Sequence, residues 1–540
     1  MDDVDVLIAG AGPIGLALAA DLGRRGVNTL VVEKGPNEIG SAKMLEVSVR
    51  TMEFCRQLGI ADKVRHWGFP DDWALDTAFV TSMTGYELGR VRIPDLGNRS
   101  DSDFSPERGR PCPQTWFDPI LQDFARTFPN VRIEHQCKLE SFLQDDSGVS
   151  ASIRLLKANR SETVRARYLV GCDGYASTVR ELLGIEVRGD KHIDWSMTIY
   201  LRLPKFSAVH DKKNAFRYVF VGSEGTWSFL SIVDGRDLWR LQLVGVDRER
   251  LQAADIEALI FRAVGRPVEY EIVDRTLWVR KRTVADRFRD GRVFLAGDSA
   301  HAHPPNGGLG MNTGIQDAFD LGWKLTGMLQ GWGGPGLLDS YDCERRPAAS
   351  RAVEVSLRNY RSLLSAEQRS HIETEGPAGD AARAAVGAAL ESENQKVWQA
   401  VGVHLGYIYH PSPIVVPDDS EKPIDDTIGY VPTTFPGARA PHVWVAENKS
   451  ILDLFGMSFV LLDFGAESTA PFEAAAEERK VPFTVHRIDN PAAASLYARK
   501  LVLVRPDGHV AWRADATPKN AGAVIDTVRG AGLNAVARRA

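Results

Sequence analysis

The chain has 540 residues, of which 44% are hydrophobic and 25% are charged, and its formal net charge at pH 7 is -6. These values are typical of folded globular proteins and exclude disordered, collagen-like and small disulfide-stapled classes. The slight acidic excess offers no general attraction to nucleic acid or anionic lipid, so neither is expected as a partner. At roughly 150 residues per domain, the length predicts three or four structural units.

No apolar run reaches the roughly 18 residues that a membrane helix needs. The apolar start of the chain, residues 4–20, is interrupted by Asp5 and by glycine and proline, and it does not end in a cleavage site. The five cysteines show no CxxC pair and no metal spacing. We therefore expect a cytoplasmic protein with free thiols, no membrane segment and no metal.

The N-terminal segment predicts a strand, a tight turn, a helix and a second strand, with Glu33 ending the second strand 18 residues after Gly15. The turn carries a GxGxxG motif: Gly10, Ala11, Gly12, Pro13, Ile14 and Gly15. Gly10 allows the turn, Gly12 lets backbone N–H groups approach a pyrophosphate, and Gly15 lets helix and strand pack closely.

Glu33 can accept hydrogen bonds from ribose hydroxyls and would repel a 2′-phosphate. This first site is therefore predicted to bind FAD or NAD rather than NADP. An ordinary glycine-rich strand-to-helix turn is the alternative.

The middle of the chain predicts an antiparallel sheet inserted between parts of the nucleotide-binding domain, because residues 197–203, 216–221, 227–233 and 238–245 alternate apolar and polar positions. Arg217 and Arg240 are interpreted as solvated charges on this sheet. Four aromatic residues could wall a flat substrate or simply fill the core: Tyr218, Trp227, Phe229 and Trp239.

Two further buried strands end in polar turns, Asp173-Gly174 and Gly297-Asp298. The second is followed by a Pro/Gly-rich loop, residues 304–311, and by a predicted helix that begins near Asn312 and continues to Leu329. His301 and His303 resemble a metal pair in spacing, but we expect loop histidines because no third ligand is nearby in sequence.

The C-terminal part predicts helices over about 341–399 and then a small α/β unit from about residue 402. The last cysteine is Cys343, so this unit cannot perform dithiol chemistry. A structural role or a role in dimer contacts is expected.

The order of these motifs resembles the class A flavoprotein aromatic hydroxylases over about residues 1–400, and Gln114 and the segment 341–347 match that family too. The remainder resembles the thioredoxin-like appendix of the phenol and polyketide hydroxylase branch. The resemblance implies an α/β fold: a Rossmann-type FAD-binding domain (1–185 and 280–400), an inserted antiparallel β-sheet substrate domain (186–279), which strands around 70–110 could join, and a thioredoxin-like C-terminal domain (401–540).

The family's activity implies a monooxygenase that uses NADH or NADPH, O₂ and a flavin C4a-hydroperoxide to hydroxylate a small phenolic or polycyclic aromatic substrate, as a monomer or homodimer. Because no second GxGxxG is present, NAD(P)H is expected to visit transiently. The residues implied to contact FAD are Gly10, Gly12, Pro13, Ile14, Gly15, Glu33, Lys34, Lys43, Gln114, Asp173, Gly297, Asp298, Pro305, Gly308, Gly310, Met311 and Asn312.

The resemblance implies that Asp298 binds the ribityl chain and that Gly310 to Asn312 present backbone N–H groups to the flavin ring. Lys43 stands where most of the family has arginine, and Leu45 stands where phenol hydroxylases have an acidic residue that activates the phenol. Lysine lacks the bidentate fork of arginine. The catalytic group is therefore not identified, and Pro305 joins the four aromatic residues as a candidate for the pocket.

Several alternatives stay open. A Baeyer–Villiger or epoxidising oxygenase acting on a polyketide would carry the same motifs. An NAD-linked dehydrogenase is disfavoured by the Asp173 and Asp298 motifs, and a flavin halogenase by the absence of a Trp-x-Trp-x-Ile-Pro element. A non-catalytic interaction protein is favoured only by the appendix without cysteines.

Overall fold

The computed structural model describes residues 3–38, 40–99, 102–364, 369, 371–398 and 400–532. The strands are β1 (Val4–Ala9), β2 (Thr29–Glu33), β3 (Glu46–Val47), β4 (Thr77–Val80), β5 (Glu87–Val91), β6 (Arg110–Pro111), β7 (Val131–His135), β8 (Cys137–Gln144), β9 (Val149–Leu155), β10 (Arg160–Gly171), β11 (Val187–Arg202), β12 (Arg217–Gly222), β13 (Gly225–Ile232), β14 (Leu238–Val246), β15 (Glu271–Ala285), β16 (Arg289–Asp290), β17 (Val293–Leu295), β18 (His301–Ala302), β19 (Trp444–Ala446), β20 (Lys449–Ser450), β21 (Phe459–Asp463), β22 (Phe483–Arg487), β23 (Leu501–Val504) and β24 (Val510–Ala514).

The helices of the described residues connect and cover these strands. They are α1 (Pro13–Arg24), α2 (Val49–Leu58), α3 (Ala61–Arg65), α4 (Gln114–Arg126), α5 (Thr178–Leu182), α6 (Arg248–Gln252), α7 (Ile256–Val264), α8 (Leu309–Leu329), α9 (Asp339–Leu364), α10 (Pro377–Trp398), α11 (Val401–Leu405), α12 (Ala470–Glu478), α13 (Pro491–Tyr497) and α14 (Ala521–Val528). None of them combines the length and apolar composition that crossing a bilayer requires.

The first sheet has the strand order β16-β17-β10-β1-β2-β7, and β17, β10, β1, β2 and β7 run parallel. Its central strands are fully buried because they are continuous apolar runs. Helix α1 packs between the sheet and α8, with α4 beside it. The carboxyl ends of β1, β10 and β17 therefore lie side by side, and each is followed by one of the glycine-containing motifs.

The second sheet has the order β18-β15-β11-β14-β13-β12-β4-β5. It is antiparallel except for the pairing of β12 with β4, and it includes two strands from the part of the chain before residue 110. One face packs into an apolar core with α6 and α7, and at one end the other face is covered by α10.

The C-terminal unit contains a four-stranded sheet of order β22-β21-β23-β24, in which only β21 and β22 are parallel. A separate core under α12 and α14 includes Trp323 and Trp332 from the end of α8 and the loop after it. The unit therefore packs directly on the helix that carries the Pro/Gly-rich loop at its other end.

Buried ion pairs join this unit to α8 and α9, and we call them the ionic seam: Asp320, Lys324, Glu344 and Arg505. Arg505 donates to both carboxylate oxygens of Glu344, at 2.5 and 2.9 Å, and to Asp320 at 3.1 Å. Lys324 Nζ donates to Asp320 at 2.7 Å and to Glu344 at 2.6 Å. Burial alone would raise the pKa of Glu344, but Arg505 and Lys324 bring it down to about 2. Glu344 thus stays charged although water does not reach it, whereas burial raises the pKa of Asp320 to about 8, against the opposing effects of Lys324 and Arg505.

Candidate active site

Three distant motifs meet around Ile14. A Cβ atom at Gly314, in α8, would lie 2.6 Å from Cγ1 of Ile14, and one at Gly297 would lie 2.9 Å from the same atom. A Cβ atom at Gly10 would lie 2.4 Å from the carbonyl oxygen of Cys172. Only glycine permits these approaches, so the GxGxxG turn, the Asp-Gly turn and the Gly-Asp turn form one surface. We call it the cofactor cleft: Gly12, Glu33, Lys43, Asp173 and Asp298.

The GxGxxG turn presents free space where a ligand would approach. A Cβ atom at Gly12 would meet no protein atom within 4 Å, whereas one at Gly15 would lie 2.0 Å from the carbonyl oxygen of Gly10. The carboxylate of Glu33 accepts the backbone N–H of Ala11 at 2.9 Å and that of Gly35 at 2.7 Å. Glu33 is therefore held against the turn, and Pro13 opens α1 as its first residue.

Two carboxylates of the cleft have oxygen atoms that accept no hydrogen bond from the described protein. Asp173 accepts the N–H of Val179 through Oδ2 at 3.2 Å, while its buried Oδ1 has no partner among the described residues. Asp298 is exposed to the cleft, yet the surrounding protein raises its pKa by desolvation, against the opposing effects of His301, Lys43 and Lys281. Unpartnered polar atoms in such a place indicate a ligand.

Asn312 has a role that the sequence analysis did not foresee. Its Oδ1 accepts the N–H of Ser48 and the hydroxyl of Thr51, both at 2.8 Å, and its Nδ2 donates to the carbonyl of Gly308 at 2.7 Å. The side chain thus ties the start of α8 to the start of α2. The sequence predicted that α8 begins near Asn312, but the helix begins at Leu309. Gly308, in the left-handed conformation, is its N-cap.

His301 supports the Gly-Asp turn through a buried carboxylate. Its Nε2 lies 2.7 Å from Oδ2 of Asp317, which also accepts the N–H of Gly297 at 3.0 Å, while Arg345 donates to Oδ1 at 2.8 Å. Burial would raise the pKa of Asp317, but His301 and Arg345 lower it. Nε2 of His303 lies 3.0 Å from Nδ1 of His301. In the described parts of the chain, His, Cys, Asp and Glu side chains form no group that could hold a metal.

Residues 41–46, here called the bridging segment, lie between the cofactor cleft and the second sheet. The hydroxyl of Tyr200 donates to the carbonyl of Ala42, Arg240 donates to the carbonyl of Lys43 at 3.3 Å, and Arg217 donates to the carboxylate of Glu46 at 3.3 Å.

These three sheet residues stand in one row across neighbouring strands, with Ser231 between Arg217 and Arg240. The interpretation of Arg217 and Arg240 as solvated charges on the sheet is therefore wrong. They face the bridging segment.

The four predicted pocket aromatics do not share a face of the sheet. Tyr218 and Trp239 pair with apolar residues whose side chains fill the core on the face away from the bridging segment, and Trp227 packs into the same core. Phe229 lies on the face of the bridging segment, in the row next to Arg217. Because side chains alternate along a strand, Phe229 is the one of the four on the face of the bridging segment, where it also packs against the apolar core beneath α10.

The row that contains Phe229 also contains Thr198, Gln242 and Thr276. Trp278, one step further along β15, donates its indole N–H to the hydroxyl of Thr198 at 3.0 Å. This row and Trp278, which the sequence analysis missed, line the sheet beyond the bridging segment.

Gln114 begins α4 beside the bridging segment. Its backbone N–H donates to the carbonyl of Met44 at 3.0 Å, and its Nε2 donates to Oδ2 of Asp118 at 2.9 Å. Burial raises the pKa of Asp118 to about 7, although Gln114 and Lys43 lower it, and Oδ1 has no partner in the described structure. Asp118 could not be singled out from the sequence because an aspartate one turn after a helix start is common.

Lys281 is a second cation at the cleft that the sequence analysis missed. Its Nζ lies 3.1 Å from the centroid of the Tyr175 ring, and its charge acts on Asp298. The other predicted contacts stay predictions, and the structure gives their exposure. Lys34 and Pro305 are exposed, and Gly310 and Met311 are partly buried in the first turn of α8.

Known proteins share both the motifs and the geometry. A family model described as an FAD binding domain matches residues 3–356, and one described as the C-terminal part of aromatic-ring hydroxylases matches residues 433–532. A putative polyketide hydroxylase from Streptomyces halstedii is 33% identical over 543 residues, covering 95% of this chain and 93% of its own.

The chain belongs to the FAD-dependent aromatic-ring hydroxylases. The solved structure of the rebeccamycin biosynthetic enzyme RebC with reduced flavin is 39% identical, with a TM-score of 0.92 over 98% of this chain and 100% of that one. A ternary complex of aklavinone-11 hydroxylase with FAD and aklavinone is 31% identical, with a TM-score of 0.82 over 98% and 99% of the two chains. These findings confirm the predicted α/β fold, the FAD cofactor and the monooxygenase activity.

Proposed function

We propose that this hydroxylase oxidises a flat, electron-rich aromatic substrate that binds between the bridging segment and the Phe229 row of the second sheet. The observation that carries the proposal is the position of the bridging segment. Its Lys43 faces Asp298 in the cofactor cleft, and its Ala42, Lys43 and Glu46 contact the sheet. A molecule beside it therefore meets both the cofactor and the sheet.

The residues of the cofactor cleft fit FAD. The open approach at Gly12 and the N-terminus of α1 suit a pyrophosphate, and Asp298 and the free Oδ1 of Asp173 suit hydroxyl donors. Glu33 is positioned for ribose hydroxyls. When bound, FAD would supply the redox chemistry that couples the oxidation of NADH or NADPH to the reduction of O₂.

The sheet would bind and orient the substrate. Phe229 offers an apolar ring, while Thr198, Gln242 and Thr276 offer hydrogen bonds that select one orientation. Arg217 and Arg240 stand in the adjacent row, and positive charge there favours the ionised form of a phenol, which is the more reactive form. We assign no proton acceptor, because Leu45 occupies the position of the family's acidic residue.

The test is a panel of phenols, hydroxylated heterocycles and polycyclic quinones, screened for stimulated oxidation of NADH and NADPH, with product mass measured. We expect at least one substrate to gain a single oxygen, and NMR of that product separates a ring hydroxyl from the ester of a Baeyer–Villiger reaction. With that substrate, Phe229→Leu should raise KM about fivefold, whereas Tyr218→Phe on the other face should leave it unchanged. Cofactor oxidation with no oxygen in any product would contradict the proposal.

A further inference from the structure

A second cavity lies away from the cofactor cleft, where the chain before β6 meets the C-terminal unit. Its volume is about 250 Å³, and its wall is rich in arginine. The cationic and aromatic residues of the wall are Arg65, His66, Arg99, Arg108, Arg110 and Trp444. Among the described lining residues the carboxylates are Asp71 and Glu107. Positive charge is therefore in excess around the cavity.

The carboxylate of Glu107 is already committed to ion pairs. It accepts hydrogen bonds from Arg65 and, at 3.4 Å, from Arg56. Arg65 is held further by Asp62 at 2.5 Å. Glu107 and Arg65 thus neutralise each other, and Glu107 forms no ion pair with Arg99 or Arg110 in the described structure.

Arg99 and Arg110 are held by backbone carbonyl groups and not by carboxylates. Arg99 donates to the carbonyl oxygens of Pro94 at 3.0 Å and Gly109 at 2.8 Å. Arg110 donates to the carbonyl of Arg65 at 2.7 Å, and its buried Nε has no partner in the described structure. Carbonyl groups position a guanidinium but cannot cancel its charge.

The surroundings act against both charges. Burial lowers the pKa of Arg99, and Arg108 lowers it further, while Glu46 and Asp95 oppose this shift. Burial is also the main cause that lowers the pKa of Arg110, with Asp71 opposing and Arg65 adding to it. An anion in the cavity would relieve both effects.

We propose that this cavity is a binding site for a phosphate group. Two guanidinium groups with donors to spare match the charge and shape of phosphate, which arginine binds through its planar fork. Trp444, 39% exposed at the rim, offers a ring face on which a nucleoside base could stack. The phosphate has two sources, free inorganic phosphate and the 2′-phosphate of an NADP nucleotide.

The position of the cavity suits the second source. Arg110 precedes Gln114 by four residues, so its Cα lies at most about 14 Å from that of a residue beside the cofactor cleft. The binding site itself does not depend on the hydroxylation reaction, because its occupancy is measured directly. Failure of the activity screen would therefore leave the phosphate-site proposal standing, and failure of phosphate binding would leave the proposed hydroxylation reaction standing.

The experiment is isothermal titration of the FAD-loaded protein with inorganic phosphate at constant ionic strength. We expect saturable binding to the unmodified protein and at least tenfold weaker binding to Arg99→Gln and to Arg110→Gln. Arg160→Gln is the matched control, because Arg160 is an exposed arginine at the start of β10, and it should bind as the unmodified protein does.

A second titration with NADP⁺ and NAD⁺ separates the sources. If the nucleotide is the ligand, NADP⁺ competes with phosphate, NAD⁺ does not, and Trp444→Ala weakens NADP⁺ binding several-fold while sparing phosphate. If free phosphate is the ligand, it binds without competition from either nucleotide. Both results support the site.

No saturable phosphate binding, or binding unchanged in both arginine variants, would overturn the proposal. Circular dichroism checks that the variants are folded. Should either variant lose its native spectrum, Arg99→Lys replaces it, since it keeps the charge but lacks the fork. It must then weaken phosphate binding at least threefold.

Discussion

The cofactor cleft and the ionic seam both contain acidic side chains, but those of the seam are buried and paired, whereas those of the cleft have few partners. At the seam, Glu344 is bonded to both Arg505 and Lys324. In the cleft, Oδ1 of Asp173 has no partner within the described chain, and Asp298 faces open space. An unpaired buried charge is costly. The difference indicates that the seam's charges hold the fold, and we propose that the carboxylates of the cleft serve a ligand.

The largest effect is expected from breaking the seam. Glu344→Ala would remove the carboxylate that both Lys324 and Arg505 bind most closely and leave Asp320 as their shared partner, and we expect the free energy of unfolding to fall by about 3–5 kcal/mol. Denaturant unfolding monitored by circular dichroism measures this. Glu354→Ala is the control, because Glu354 is an exposed residue of the same helix paired with Arg282, and its loss should cost less than about 1 kcal/mol. Equal losses would show that the seam is not special.

In the cleft, Asp298→Ala should leave the fold intact and release the cofactor. A charged hydrogen bond contributes about 1.5–3 kcal/mol, so we expect FAD affinity to fall roughly ten- to hundredfold. Fluorescence titration of the FAD-free protein gives the dissociation constant. Asp290→Ala, which removes a partly exposed carboxylate paired with Arg287 and placed beside the start of β17, should leave FAD affinity unchanged. Full FAD occupancy in Asp298→Ala would remove the role proposed for this residue.

Asp118 sharpens the comparison through pH. Its pKa in the folded state, about 7, lies above that of an unfolded aspartate, so ionisation opposes folding and the cost grows as pH rises between the two values. Asp118→Asn removes this cost. Its advantage in free energy of unfolding over the unmodified protein should increase by about 2.5 kcal/mol from pH 5 to pH 8.

The control for this test is Asp123→Asn, an exposed position on the same helix. It should show no such trend with pH. An Asp118→Asn advantage that is constant over this range would mean that Asp118 does not titrate within it.

The smallest effect separates ligand space from packing space. Gly12 has an extended backbone that alanine also adopts, and its Cβ would meet no protein atom, so Gly12→Ala should keep its stability and bind FAD about tenfold more weakly. Gly15→Ala would force a clash with Gly10 and should destabilise the protein itself. Thermal unfolding without FAD distinguishes the two, and equal melting temperatures would contradict the assignment.

Much of the fold could be predicted because its signals are local. The GxGxxG turn, the buried strands and the long helix α8 follow from glycine spacing and apolar periodicity. The start of α8 was misplaced by three residues, because a left-handed Gly308 is a cap that periodicity does not reveal.

The site was less predictable because its contacts are long-range. Which face Tyr218 and Phe229 occupy depends on strand register and on what covers each face, and neither is written in a strand's own sequence. Lys281 acquires its role from Tyr175 and Asp298, and Asp118 acquires its raised pKa from burial, and neither contact can be predicted from the local sequence.

The ionic seam also bears on how such chains can be recombined. Arg505 comes from the segment that follows β23, and it supplies charge to carboxylates of α8 and α9, which belong to the part matched as the FAD binding domain. Grafting a relative's last hundred residues onto this protein would succeed only if the graft brings a guanidinium to the same spot. The C-terminal unit and the FAD-binding part of one protein are therefore not freely exchangeable with those of a relative.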